Sequence, residues 1–168
     1  AVADAERDRH LASVEQVPLA PDELVVGVAL RRWFHLRNNW MPYAWRSSAG
    51  ARAANPRLDE LLQRVADALR MWAAGRPVRL LFFPMAAGAW EGDAELSRRV
   101  GEASGLRWHV LRLQSDAAMA RALTGRCDLF VSMRMHSALL ALSMGVPTLA
   151  LYHVPKVQDL LASLGLPG

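Results

Sequence analysis

The sequence predicts an α/β domain built on a doubly wound parallel sheet with helices on both faces. Two observations carry that prediction: five short apolar runs of strand length recur along the chain, and the segments between them repeat their apolar residues at three- and four-residue intervals. Size is the third. At 168 residues with 52% hydrophobic content, the chain can bury one substantial core, and two full domains would be cramped.

The runs are Leu24–Leu30, Val78–Phe83, Trp108–Leu113, Asp128–Ser132 and Pro147–Leu151, each with the length of a strand buried on both faces. The clearest helix spans Pro56–Ala73, where Leu58, Leu61, Leu62, Val65, Leu69 and Trp72 fall on one face, with Asn55 as N-cap and Pro56 as the first helical residue. Further helices are expected over Asp93–Ser104, Asp116–Thr124, His136–Met144 and Lys156–Ser163. Strand and helix therefore alternate, and the crossover lengths suit right-handed parallel connections. Residues 1–21 read as a linker or leading helix and residues 22–168 as the domain. Arg31–Asn55 is too irregular for one element and long for a strand-to-helix connection. It starts at the carboxyl end of the first strand, where open α/β sheets place their ligands. Its aromatic residues Trp33, Phe34, Trp40, Tyr43 and Trp45 either shape a pocket or pack against another domain.

Charge and cysteine usage narrow the function classes. The net charge of +4 comes almost wholly from arginine, Lys156 being the only lysine, and the basic residues are spread along the chain without a dense run. That distribution argues against nucleic acid and leaves an anionic small molecule open. No apolar block approaches the roughly 20 residues of a membrane span, and AVADAERDRHLASVEQ at the start has no secretory h-region. The single cysteine, Cys127, excludes an internal disulfide framework and a Cys-rich metal site and fits a reducing cytoplasm. Lying just before an apolar run, it reads as a buried thiol and not as a nucleophile.

The sharpest local feature is DLFVSMRMHSALLALSMGVPTLALYHVPKV, from Asp128 to Val157. A buried strand ends at Ser132, a short turn presents Arg134 and His136, and a helix starts at about Ser137. Free N–H groups at a helix start favour an anion, and Arg134 adds a planar donor suited to phosphate or carboxylate. Ser132 and Ser137 offer hydroxyls, although a helix cap accounts for Ser137 nearly as well. Gly145 is the expected C-cap and Lys156 comes after the next strand. Taken singly, Arg134 would pass for a solvated loop residue and His136 for a hydrogen-bonded cap. Arg31, Arg134 and Lys156, however, come after three different strands and would converge on one edge of the sheet, which suggests a multiply charged anion. His10, His35 and His109 have no partner at metal-ligand spacing, His153 is closer to the proposed rim and reads as structural or as a substrate contact, and the Met133/Met135 pair reads as packing.

Two segments, VGVALRRW at Val26–Trp33 and CDLFVSMRMHSALLALSMGVPTLALYHVPKV at Cys127–Val157, resemble the polysaccharide pyruvyltransferase family. The specific part is the order strand, S-x-R-x-H turn, helix, GVP and a later PK, and the similarity of element order runs from about Asp22 to the end. The resemblance implies a Rossmann-like domain forming the second lobe of a two-lobed, glycosyltransferase-like architecture, with the site between lobes and the N-terminal lobe absent from this chain. One departure is at Pro84-Met85-Ala86, where similar proteins continue with Gln or His before an Asp. Here Ala86, Ala87 and Gly88 precede Asp93, and no catalytic role is assigned to Asp93.

The implied reaction moves pyruvate from phosphoenolpyruvate onto a sugar of a cell-wall or exopolysaccharide precursor as a pyruvyl ketal. Arg31, Arg134 and Lys156, with Ser132 and Ser137, would bind the donor's carboxylate and phosphate. Imidazole is the side chain that changes charge near neutral pH, which makes His136 the natural general acid or base. No cofactor and no metal are expected, phosphoenolpyruvate being the donor substrate. The expected partners are a lipid-linked or polymeric saccharide acceptor and the missing lobe, without which the chain is expected to be inactive. Nucleic acid is not expected. The expected location is the cytoplasm, with peripheral association at the inner face of the membrane left open. Two rivals remain. A nucleotide-sugar-dependent glycosyltransferase lobe would need an acid for the ribose diol, for which Asp159 is the only nearby candidate. A non-catalytic domain would bind an anion or a protein through the aromatic loop.

Overall fold

The computed structural model describes residues 17, 19–20, 22–32, 56–86, 92–112 and 117–152, together with 159, 162, 163 and 165. The expected leading segment to residue 16, the Asn55 cap, the five loop aromatics, His10, His35, His153 and Lys156 lie outside the described residues. So does most of the expected last helix, of which Asp159, Ala162 and Ser163 are helical.

Among the described residues, nine elements come in order: β1 (Leu24–Ala29), α1 (Pro56–Trp72), β2 (Val78–Phe82), α2 (Asp93–Ser104), β3 (Arg107–Val110), α3 (Ala117–Thr124), β4 (Leu129–Ser132), α4 (Met135–Ser143) and β5 (Thr148–Ala150). The five strands form one sheet in the order β3-β2-β1-β4-β5. Every pairing is parallel, with Val26 opposite Leu80 on one side of β1 and Gly27 opposite Phe130 on the other. The doubly wound fold is therefore observed.

Successive residues of a strand face opposite sides of a sheet, and the core divides accordingly. Val26, Val28, Leu80, Phe82 and Val131 pack with Leu58, Leu62, Val65 and Leu69 of α1 and with Leu96 and Val100 of α2. Val25, Ala29, Leu81 and Phe130 face the other way, onto Leu123 of α3 and Ala141 of α4. The α1 stripe at i, i+3 and i+4 spacing is what buries that helix, while Glu60, Gln63 and Arg64 stay outside.

Burial on both faces holds for β1, β2 and β4 but not for the end strands. In β3, Arg107 and His109 are exposed, and in β5 Leu149 is 54% exposed. The apolar runs are similar in composition, but among the described residues the helices pack mainly on the middle strands of the sheet. The strands at its margins keep one open edge.

Gly27 marks the tightest point of the sheet. A Cβ built there would lie 2.3 Å from the Phe130 ring and 2.9 Å from Cys127 Sγ, and Phe130 is itself wedged against Phe83 at 5.1 Å between ring centroids. Gly27→Val is expected to destabilise the protein by about 3 kcal/mol through overpacking in a core that has no slack. Chemical denaturation checks this, and Phe130→Leu in the same chain should recover part of the loss.

Candidate functional site

The strand order places the topological switch between β1 and β4. From β1 the chain winds outward through β2 to β3, then returns to the other side of β1, so the loops leaving β1 and β4 diverge at their carboxyl ends. The ladder continues past these ends: Met133 N–H donates to the Ala29 carbonyl, and Leu151 N–H to that of Ser132, both at 2.8 Å. Leu30-Arg31-Arg32 leaves the end of β1, and Met133-Arg134-Met135-His136 leaves the end of β4.

The β4–α4 turn is built by Ser132. Its hydroxyl accepts the Arg134 N–H at 3.1 Å and donates to the Arg134 carbonyl at 2.7 Å, an arrangement serine favours where a strand stops and a helix starts. Arg134 is the N-cap residue, in an extended conformation, and its carbonyl also accepts the Ala138 N–H at 3.0 Å. The helix thus opens at Met135, two residues before the expected Ser137. His136 is the second helical residue and exposed; Ser137 is the third, not a cap. Ser137 is 2% exposed, and its hydroxyl oxygen has no hydrogen-bond partner among the described residues. At the other end Met144 is the C-cap and Gly145 comes next with φ 73, the left-handed geometry that glycine tolerates.

Arg134 spans the switch. Its Nε donates to the Leu30 carbonyl at 3.3 Å, and its Nη2 lies 2.8 and 2.7 Å from the two carboxylate oxygens of Asp93. The Asp93 side chain is 0% exposed, and its Oδ2 also accepts the backbone N–H groups of Met85 and Ala86 at 3.2 and 3.1 Å. Asp93 is the first residue of α2, set there by Gly92 in a left-handed conformation. Arg31 is half-buried on the rim. The next residue, Arg32, turns inward: its side chain is 6% exposed, and it pairs with Glu95 of α2 at 3.6 Å. Two guanidiniums, of Arg32 and Arg134, and two carboxylates, of Asp93 and Glu95, therefore lie where β1, β2 and β4 end, with Arg31 next to Arg32 in the chain.

Of the residues singled out in the sequence, Arg31, Ser132, Arg134, His136 and Ser137 come together around the switch. Sequence reasoning did not single out Arg32, and it left Asp93 without a role. The available signal for Asp93 was its place: an acid opening the helix after β2, next in the sheet to β1. A cavity of about 620 Å³ lies elsewhere, along the open edge of β3, and is lined in part by Arg98, Trp108, His109 and Arg112. None of the switch residues borders it. The convergent polar groups, not the volume, locate the candidate site.

Cys127 is a buried thiol. Burial, with the Asp128 carboxylate beside it, pushes its thiol up to about 12 against the opposing hydrogen bond at Gly27, and its Sγ points to the Leu123 carbonyl at 3.5 Å. A thiol so far from thiolate is inert.

A model of the family described as polysaccharide pyruvyl transferase matches residues 20–153, a span that holds all five strands and every switch residue named above. The chain belongs to the polysaccharide pyruvyl transferase family. No curated protein and no solved structure matches it. Membership places the chain among transferases of polysaccharide synthesis, with a polysaccharide as acceptor. Lys156 lies just beyond the span matched to the pyruvyl transferases. Among the described residues, no helix is long and apolar enough to cross a membrane.

Proposed function

We propose that the β1/β4 switch of this pyruvyl transferase is the donor site for phosphoenolpyruvate, and that the acceptor is a sugar of a cell-wall or exopolysaccharide precursor. The observation that carries the reading is the placement of an arginine fixed across the switch beside an exposed histidine in the first turn of α4. Phosphoenolpyruvate holds a carboxylate and a phosphate on one small skeleton. Arg31 and Arg134 supply guanidinium donors for these groups, Lys156 a third cation, and the first turn of α4 supplies N–H groups and the positive end of the helix dipole. Ser132 shapes the turn, and the Ser137 hydroxyl adds a hydrogen-bonding group behind it.

Ketal formation then needs one proton carried in and two carried away. His136 as imidazolium protonates the donor methylene carbon, which becomes a methyl group while positive charge develops at the adjacent carbon. A sugar hydroxyl attacks that carbon, and its proton returns to the His136 imidazole. A second hydroxyl closes the ring, the carbon–oxygen bond to phosphate breaks, and the phosphate leaves with the last proton. Nothing is oxidised or reduced. The acceptor is held by a second lobe, and the reaction takes place in the cytoplasm, where phosphoenolpyruvate is available.

Arg31 offers a test that leaves the core intact. Arg134→Ala would strand the buried Asp93 carboxylate and confuse binding with folding. Arg31→Gln, on a half-buried rim residue, is expected to weaken phosphoenolpyruvate by about 10-fold, the low end for a lost hydrogen bond to a charged group. Calorimetric titration measures it, with a nucleotide sugar as competitor. Displacement of phosphoenolpyruvate by the nucleotide sugar, or binding of the nucleotide sugar alone, would reject the reading in favour of a glycosyltransferase lobe.

A further inference from the structure

We propose that Asp93 is a positioning residue of the anion site: it sets the attitude of the Arg134 guanidinium, and through it the start of α4, before the donor arrives. The identity of the donor rests on the functional reading above; the positioning itself rests on geometry.

Asp93 is placed to act through its neighbour and not on substrate. Its side chain is 0% exposed, against 15% for Arg134, so the arginine is the member of the pair that faces the rim. Donors meet both of its oxygens: Arg134 Nη2 approaches each, and the Met85 and Ala86 N–H groups reach Oδ2. Only a carboxylate meets such a set, because it offers acceptors and no donor. Asparagine has one acceptor oxygen, and its NH2 would face a buried donor whichever way it turned.

The pair also links separate parts of the fold. Met85 and Ala86 lie beyond β2, Leu30 beyond β1, and Arg134 beyond β4, so one carboxylate and one guanidinium tie together the carboxyl ends of three neighbouring strands. Arg134 is at the same time the residue whose carbonyl opens α4. A shift of its side chain therefore pulls on the backbone that presents His136. Arginine loses much rotamer freedom when it is fixed, and fixing it within the fold removes that loss from the binding step. A planar donor already oriented by two protein acceptors meets a planar carboxylate or a phosphate without rearrangement.

The test compares this chain with its Asp93→Asn, Arg134→Lys and doubly substituted forms. The Arg134 Nε–H resonance, assigned by its loss in Arg134→Lys, should exchange slowly with solvent in the native protein and at least 10-fold faster in Asp93→Asn. Phosphoenolpyruvate affinity should fall about 10-fold in each single variant and no further in the double, since both remove one arrangement. An unchanged Nε–H exchange rate, or losses that multiply in the double variant, would overturn the proposal. Should Asp93→Asn not fold, Arg134→Lys decides: it keeps the charge but cannot reach both Leu30 and Asp93, and an affinity within twofold of native refutes positioning. Failure of the native chain to bind phosphoenolpyruvate would sink the donor reading while the exchange measurement still answers for Asp93.

Discussion

Replacing His136 with alanine is expected to lower pyruvyl turnover by about 10²–10⁴-fold, the range that a positioned general acid–base contributes. The residue is exposed at the second position of α4, so folding stability should stay within about 0.5 kcal/mol of native. Donor affinity should change little. The proton on the methylene carbon is in flight only in the transition state, and a group that acts only there lowers kcat and kcat/KM together while leaving ground-state binding alone. Rapid-quench measurement of a single turnover in the full-length protein, with phosphoenolpyruvate and an acceptor saccharide, reads the chemical step directly. A loss below 10-fold would remove His136 from proton transfer, and a loss confined to KM would make it a binding group.

At the opposite end of the sheet, Glu23→Leu is expected to cost about 3–5 kcal/mol, the range for breaking a buried ion pair by removing one partner. Glu23 comes just before β1 with a side chain 2% exposed, and Arg79 of β2 reaches it through Nε at 3.1 Å from a position 16% exposed. Arg107 of β3 stands 3.8 Å away on the other oxygen but is 73% exposed, so water screens most of its share. Removing the carboxylate leaves Arg79 desolvated and unmatched at the amino ends of the strands. A chain of this size loses about 2–4 °C of Tm per kcal/mol, so the midpoint should drop by about 10 °C. Glu23→Leu with Arg79→Met should recover most of the loss, since an apolar pair of similar volume replaces an ion pair at little cost. A single-variant shift below about 2 °C would show that the cluster is decorative. Because the change is remote from the switch, phosphoenolpyruvate binding serves as its internal control.

The sheet was legible because its signals are local. A run such as Leu24–Ala29 declares a strand by its own composition, and the i, i+3, i+4 stripe of Leu58, Leu62, Val65 and Leu69 leaves little room for another assignment of α1. The bounds Asp93–Ser104 agree with those expected, and Gly92 and Gly105 bracket the helix in left-handed conformations. The exposure of β3 and β5 was not legible, because position in the sheet order is a property of the whole chain and a strand's composition does not reveal whether it lies at the margin. Leu149 looks like any core leucine until the order β4-β5 puts it last.

The candidate site divides along the same line. Ser132, Arg134 and His136 are close in sequence, and a strand-turn-helix reading is enough to bring them together. Arg31 joined them because parallel strands share a carboxyl edge. Asp93 is 41 residues from Arg134 and their meeting depends on β2 lying beside β1, which no spacing announces. Arg32 was lost to a one-residue ambiguity: past the end of a strand the period-2 rule lapses, and which of two adjacent arginines turns inward is settled by Glu95 and the bend at Gly92.

The sealed thiol of Cys127 gives the molecule a property of a different kind. It is the only cysteine in the sequence, and burial holds it protonated across the pH range in which maleimides and iodoacetamides react. To thiol-directed labels the folded chain is blank. A cysteine introduced on the rim, at Arg31 or His136, would carry a dye or spin label without competition, and the native sulfhydryl would react only where the sheet itself had come apart. The same atom that the core hides thus serves as a built-in reporter of unfolding, silent while the domain is intact and labelled when it opens.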